Sequence, residues 1–532
     1  MATTVCFRPY RQRYLPLPHH SSSTHHPSTD HRLQLPFKGR LGQMVHPLID
    51  TLDDDSLLNI FQLYRPVLSD EEDGDEDSTK DGSILRGGDW VRERWWYGLV
   101  HVCRRWRYLI LSSSSFLGVC LVCTRGALVA TMLAHAPPVP LIIDHLDEYY
   151  DTTTEEEKNL LLALQHRDRV RRIRLVMPVV TLQKLIKALD GEFPILEYLY
   201  VGSPSDTPVS RPIHDMPLTI SETLQAPHLR HLISIDFALP IGSPLMATSA
   251  GLVTLSLPVV HTYHDFCLND FLERISHMPQ LETLLLNFQS SVPNSDVEGQ
   301  LSHMPVASHV ALPNLRWFGF KGASAYLEAL LPRVTAPLLE KLRLRFFDEP
   351  TFSLPHLLRF ISESKNLKCG SAKLSFLEWG VLMRVYPHEE AKMYAFQMSL
   401  SSTFLSRQIS GAAQICNALR MAFSSVEDLT LEFRRSITLF ELTNGTDRAQ
   451  CRELLRSFGN VKTLRVPSDL VGKVARSLRP EGEESPIELL PVLKELACPL
   501  NNVVRVAFAP FINARQSAGH PVILACIRYT IY

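Results

Sequence analysis

One phrase of apolar and polar positions recurs over the last two thirds of the chain: apolar-x-x-apolar-x-apolar. It reads Val170-Arg-Arg-Ile173-Arg-Leu175, Leu196-Glu-Tyr-Leu199-Tyr-Val201, Leu229-Arg-His-Leu232 and Leu252-Val-Thr-Leu255-Ser-Leu257. It continues as Leu281-Glu-Thr-Leu284-Leu-Leu286, Leu315-Arg-Trp-Phe318-Gly-Phe320 and Leu339-Glu-Lys-Leu342-Arg-Leu344. After a gap come Val426-Glu-Asp-Leu429-Thr-Leu431, Val461-Lys-Thr-Leu464-Arg-Val466 and Leu493-Lys-Glu-Leu496. Starts lie 26, 33, 23, 29, 34 and 24 residues apart in the first group, and 35 and 32 in the second. Leu374-Ser-Phe-Leu377-Glu-Trp379 is expected to fill part of the gap. The period-two end of each phrase predicts a strand with one buried face. Segments between them, such as Asp270–Ile275 and Leu354–Ile361, have helical spacing. A strand and a helix in each unit predict repeats that bury a continuous core only by stacking. An ordinary α/β domain is the alternative.

Upstream the period changes. Leu57, Ile60, Phe61 and Tyr64 fall at helical spacing. Asp53 suits an N-cap, and Asp54 and Asp55 suit the first turn. A second helix is expected from Trp90 to Leu111, with Trp95 or Trp96, Leu99, Val102, Cys103, Trp106, Leu109 and Ile110 on one face and Arg104, Arg105 and Arg107 on the other. Ser112–Ser115 should end it, and Phe116–Val122 reads as a short buried strand. Between the two helices runs an acidic insert, 69–82, with seven acids among residues 70–77. Such a run repels itself and stays solvated. It is either a tolerated surface loop or, at Ser69 and Ser78, a phosphorylation segment. Residues 1–45, rich in His, Ser and Pro, predict a disordered tail. Residues 123–168 read as a bridge, with helices at Ala127–Ala134 and from Thr154 to Gln165 and a strand at Leu141–Ile143. The phrases then define a domain over 169–532, whose end at 500–532 reads as a final helix or a loop and strand.

Two resemblances follow from these residues. The repeated phrase is similar to irregular leucine-rich repeats, although the Asn of the usual ladder is missing after most strands. The run Leu57-Leu58-Asn59-Ile60-Phe61, then Leu99-Val100-His101-Val102-Cys103-Arg104-Arg105-Trp106-Arg107, resembles an F-box of the fungal type over about 48–122. The family's usual opening Leu-Pro-x-Glu is replaced by Leu52-Asp53-Asp54-Asp55. The expected fold is therefore α/β: an N-terminal three-helix F-box-like module over 46–122, then a leucine-rich-repeat-like α/β solenoid. The resemblance implies a non-enzymatic substrate-recognition subunit of an SCF-type ubiquitin ligase. It would meet the adaptor subunit, and through it the cullin complex, at Leu48, Leu52, Leu57, Ile60, Phe61, Leu99, Val102, Cys103 and Trp106. A repeat scaffold with no ligase link is the second reading, and an enzyme with an unrecognised site on the array a distant third.

In the repeats, residues between the buried leucines should face one open surface. The target-binding candidates there are Arg172, Arg174, Tyr198, Tyr200, Trp317, Lys341, Arg343 and Arg345, with His231, Thr283, Asp428 and Glu432 beside them. Arg, Tyr and Trp are types enriched in protein recognition surfaces.

Composition narrows the chemistry. Net charge is -2, so no global field favours nucleic acid or anionic membrane. No continuous apolar run reaches the roughly 18 residues of a membrane span. The cysteines are scattered, which argues for reduced thiols inside a cell rather than a disulfide framework. Cys120 and Cys123 form a lone C-x-x-C in an apolar run, with no second pair to complete a zinc site. His261, His264 and Asp265 have metal-compatible spacing but no evident further ligand. There is no phosphate-binding Gly loop and no hydrolase or metalloprotease motif. Neither cofactor nor metal is expected.

Overall fold

The recurring phrases become neighbouring strands. In a computed structural model, the residues described are 51–65, 93–146, 152–203, 218–235, 237–259, 268–288, 309–346, 354–434, 447–480, 485, 487–499 and 501–526. The expected tail 1–45, Leu48, the acidic insert and the His261-to-Asp265 cluster lie outside them. The chain falls into two units, Met1–Asp53 and Asp54–Tyr532, and the second holds the architecture.

That architecture is mixed α/β, with one sixteen-stranded, mostly parallel sheet. Nine parallel strands come first and neighbour one another in chain order: Leu121–Thr124, Leu141–Leu146, Val170–Val176, Tyr198–Gly202, His231–Ser234, Thr254–Val259, Thr283–Phe288, Trp317–Gly322 and Lys341–Phe346. Parallel neighbours need a crossover, and the spacing of the phrases leaves room for one. Helices Val179–Ala188, Leu268–Ser276 and Ser324–Leu330 fill several of these connections, and Pro355–Glu363 follows the ninth strand.

Register aligns the phrases residue for residue. Ile173 lies opposite Leu199, Leu199 opposite Leu232, Leu232 opposite Leu255 and Leu255 opposite Leu284; Phe318 and Leu342 continue the row. All seven side chains are buried. A one-residue slip would turn every one of them to the other face, so burial fixes the register. Each such side chain contributes about 1.5–3 kcal/mol on leaving water. The helices cover this face: Phe360, in Pro355–Glu363, meets Phe318 edge-on at 6.2 Å.

The sheet departs from chain order once. Beside Lys341–Phe346 lies Phe396–Ser401, then Gly380–Tyr386, then Ser371–Leu377, and only then Asp428–Arg434, Thr463–Arg465, Glu495–Cys498 and Ile523–Cys526. Gly380–Tyr386 is antiparallel to both of its neighbours. Glycine is needed at its first position, because a Cβ on Gly380 would run into the carbonyl of Leu400. The gap thus holds three strands where the repeated phrase suggested one. The expected phase is also corrected. Ala372 lies opposite Leu429 and Leu374 opposite Leu431, so the phrase begins at Cys369 and its buried members are Ala372, Leu374 and Phe376. Leu377 and Trp379 are only half-buried.

The helical region differs from expectation in two places. The helix expected from Trp90 to Leu111 is two helices, Trp95–Leu99 and Arg104–Ser112. Cys103 between them is extended, at φ -155° and ψ 171°, and its Sγ accepts a hydrogen bond from the Trp106 N–H. Helical spacing of apolar residues runs straight through this break, so periodicity alone did not reveal it. Phe116 and Leu117 belong to a short helix, Ser114–Leu117, rather than to a strand. Gly118 ends that helix in the left-handed region at φ 64°. The sheet then starts at Leu121, so the first two strands come from the segments read as helical module and bridge. In the rest of that bridge Thr153 and Glu156 form a reciprocal capping box on the helix Thr154–Gln165.

Candidate functional site

Two surfaces carry the residues singled out in the sequence. The first is built on Asp54–Tyr64 and Arg104–Ser112. Leu57 and Phe61 are fully buried, and the Phe61 ring meets Trp106 edge-on at 4.8 Å. These two residues are therefore core of the helical module, a correction to their place in a docking set. Leu52, Ile60, Leu99 and Trp106 are half-buried, while Cys103 is exposed and Val102 is 58% exposed. The sequence reading missed Tyr108 at 72% and Leu63 at 86%, and it placed Tyr64, 67% exposed, on the inner face. A stricter helical count would have found Tyr108, since Trp106, Leu109 and Ile110 take the packed side of its helix. Asp54 and Arg105 join the two helices by an ion pair at 2.7 Å. Both partners face solvent, so the pair is worth about 0–1 kcal/mol.

The module is fastened to the start of the sheet. Trp96 donates from Nε1 to the Cys120 carbonyl at 3.1 Å, and Arg94 donates to the Val122 carbonyl at 3.1 Å. Glu93, itself buried, pairs with Arg172 at 3.1 Å.

The second surface is the sheet face away from the helices. Register sets Arg172, Tyr198, His231, Thr254, Thr283, Trp317 and Lys341 in one row. Arg174, Tyr200, Ile233, Ser256, Leu285, Gly319 and Arg343 form the next. Near the start of the sheet these side chains are taken up within the protein. Arg174 holds Asp144 with two hydrogen bonds, at 2.6 and 2.8 Å, and both side chains are under a tenth exposed. Tyr200 is buried with Val176 and Ile233, and Tyr198 packs on the cluster of Cys120, Val122 and Ile142. Burial pushes the Tyr198 phenol well above its ordinary range. Arg174 and Tyr200 are thus corrected from open surface to interior, because the helical module and first strands crowd this end.

Farther along, Trp317, Lys341, Arg343 and Arg345 are all half-buried. The Lys341 ammonium lies 4.4 Å from the ring centres of both Trp317 and Tyr394, and the Arg345 guanidinium lies 5.6 Å from Trp379. Lys321 and Arg384 lie on the same face, opposite Arg345 and Gln397 respectively. The sequence reading missed both. Lys321 falls one step past its phrase, and Arg384 sits on the antiparallel strand, which carries no phrase. Glu432 pairs with Lys373 at 2.7 Å, and Asp428 lies 3.7 Å from Arg465. His231 Nδ1 and the Thr254 hydroxyl are 3.1 Å apart.

The C-x-x-C holds two buried thiols, and burial raises both, Cys123 to about 11. Cys369 and Cys498 are also pushed up to about 11. A neutral thiol is a poor nucleophile and a poor ligand. Alkylation near pH 8, read by peptide mass spectrometry, should modify the exposed Cys103 and spare Cys120, Cys123, Cys369 and Cys416. The folded chain also binds protons that the unfolded chain has released, so stability is complete below about pH 8.5, the ordinary thiol value. It falls as pH rises through about 11. A urea midpoint that stays level between these limits would contradict the assignment.

Among the described residues no group of three or more His, Cys, Asp or Glu is placed to hold a metal, and no helix is long and apolar enough to cross a membrane. No family model matches the chain, and no curated protein matches it.

Proposed function

We propose that this chain is the substrate-recognition subunit of an SCF-type ubiquitin ligase. Its F-box-like helices dock on the adaptor subunit. Its strands form a leucine-rich-repeat-like solenoid that holds a target protein near the transferring enzyme. Holding the two together raises the transfer rate by proximity, with no chemistry asked of this chain. The observation that carries the reading is the apolar surplus of the helical module. Leu57, Phe61, Leu109 and Ile110 already fill its core, yet Leu63, Tyr64, Val102 and Tyr108 remain exposed. Exposed apolar side chains gathered on a small unit mark a partner surface. The motif core Val102-Cys103-Arg104-Arg105-Trp106-Arg107 lies among them.

A pull-down with purified adaptor tests it. The intact chain should capture the adaptor, and Val102→Asp with Tyr108→Asp should weaken capture at least tenfold (about 1.4 kcal/mol or more) with an unchanged urea midpoint. Both side chains are exposed, so their replacement leaves the core intact. No capture by the intact chain would favour the second reading, a repeat scaffold whose helices serve as a cap. The bonds from Trp96 and Arg94 to the first strand suit that role.

A further inference from the structure

We propose that Cys498 and Cys526, opposite each other on the last two strands of the sheet, are a redox-modification site: a peroxide joins them in a disulfide that clamps the terminal strand and helix onto the array. The site holds whether or not the chain docks an adaptor.

Register brings the two together. Glu495–Cys498 and Ile523–Cys526 run parallel, with Cys498 directly opposite Cys526. Both are thiols, not joined to each other. Neighbouring strands lie about 4.7–4.9 Å apart, and opposite residues send their side chains to the same face. A disulfide needs Cα atoms about 4.4–6.8 Å apart and Cβ atoms about 3.5–4.5 Å apart. The Cα spacing fits as it stands. The Cβ atoms must close by under about 1 Å, and a strand at the end of the sheet can lean that far. The C-x-x-C is built differently. Cys120 packs with Val122, so Cys123 lies on the other side of that strand, opposite Ile143.

Exposure divides the work between the two sulfurs. Cys526 is exposed and meets an oxidant, while Cys498 is fully buried beside it. Burial raises the Cys498 thiol to about 11, and the neighbouring Cys526 adds to the rise, so the two groups are within electrostatic reach. The Cys526 sulfur, its proton lost to solvent, attacks one peroxide oxygen, and the O–O bond breaks. Cys526 becomes a sulfenic acid, and the departing hydroxide takes a proton and leaves as water. The Cys498 sulfur then attacks the Cys526 sulfur. The S–S bond forms, the S–O bond breaks, and the proton given up by Cys498 leaves with the hydroxide as a second water. Two thiols lose two electrons and one peroxide gains them. A small dithiol reverses the step by thiol–disulfide exchange.

The bond acts where the array is held least. A terminal unit has a neighbour on one side only, and such units open first. All four residues of Ile523–Cys526 are at least partly exposed, whereas Leu496, Ala497 and Cys498 are buried. The helix Asn502–Ser517, anchored by Val504, Phe508 and Phe511, lies inside the loop that the bond closes. Closing that loop removes conformations from the opened state and so disfavours opening.

The test treats the full chain with a small excess of hydrogen peroxide, blocks remaining thiols with N-ethylmaleimide and maps unreduced peptides by mass spectrometry. A peptide pair linking Cys498 to Cys526 should appear, and dithiothreitol should release it. Hydrogen exchange across Asn502–Ser517 and Ile523–Cys526 should slow at least tenfold on oxidation, with Val170–Val176 unchanged. Cys526→Ser, at an exposed position, should form no link and lose the effect of peroxide on exchange. Cys498→Ser should leave a Cys526 sulfenic acid that dimedone traps; if this buried replacement fails to fold, Cys526→Ser carries the control. Cys526 oxidised to sulfinic acid with no link, a disulfide between two chains at Cys526, or exchange that peroxide leaves unchanged would each overturn the proposal.

Discussion

Asp144→Ala should destabilise the chain by about 3–5 kcal/mol, because it strands a buried guanidinium. Asp144 and Arg174 lie opposite each other on adjacent parallel strands, and neither side chain reaches water to any useful extent. The carboxylate accepts both of its bonds from one guanidinium, at 2.6 and 2.8 Å. The pair need not add net stability, since desolvating two ions offsets most of their attraction. Losing one member is different, because the survivor keeps its desolvation cost and loses its counter-charge. Asp144→Leu with Arg174→Met should therefore sit close to the parent. Urea midpoints of the parent, both single variants and the double variant complete the cycle. A shift under about 1 kcal/mol for Asp144→Ala would mean that water enters this end of the sheet.

The second large effect belongs to Phe61→Ala. The ring is fully buried and packs edge-on against Trp106. Truncating a buried Phe costs about 3–5 kcal/mol, as lost transfer energy plus the cavity left behind. The helical module has little core to absorb that loss. Hydrogen exchange should show protection disappearing from Asp54–Tyr64 and Arg104–Ser112, while the strands from Val170 onward keep theirs. Adaptor capture would fall as well, but through unfolding of the module. Only the pair at Val102 and Tyr108 separates docking from folding. Protection retained in both helices would show that Phe61 matters less to this core than its burial implies.

Much of the sheet was legible because it is written in a period-two code with a bulky apolar residue at each buried step. Where that signal weakens the reading slips. At Ala372 a small residue occupies the buried position, so the eye moves on to Leu374 and Leu377 and the phase is lost. The strand Phe396–Ser401 alternates Phe396, Met398 and Leu400 well enough, but without the three-residue lead-in shared by the others. The helical module was found by spacing, and its break at Cys103 was missed because spacing counts residues and not dihedrals. The open sheet face was only half legible. A sequence shows which residues alternate with the core, but not what covers them, so Arg174 looked as available as Arg343. The structure separates the two by burial, since Arg174 is enclosed with Asp144 while Arg343 is half-buried.

The reversal at Gly380–Tyr386 leaves ten parallel strands on one side and five on the other, all pointing the same way. The direction survives because the chain makes two turns there, not one. Such an array obeys a parity rule. It can lengthen by strands added in turn-linked pairs, or by whole strand-and-helix units. A single strand joined by one tight turn would set everything after it running backwards and carry the helices that follow to the opposite face. The excess of two strands over the repeated phrase in this gap is the smallest addition that the rule permits.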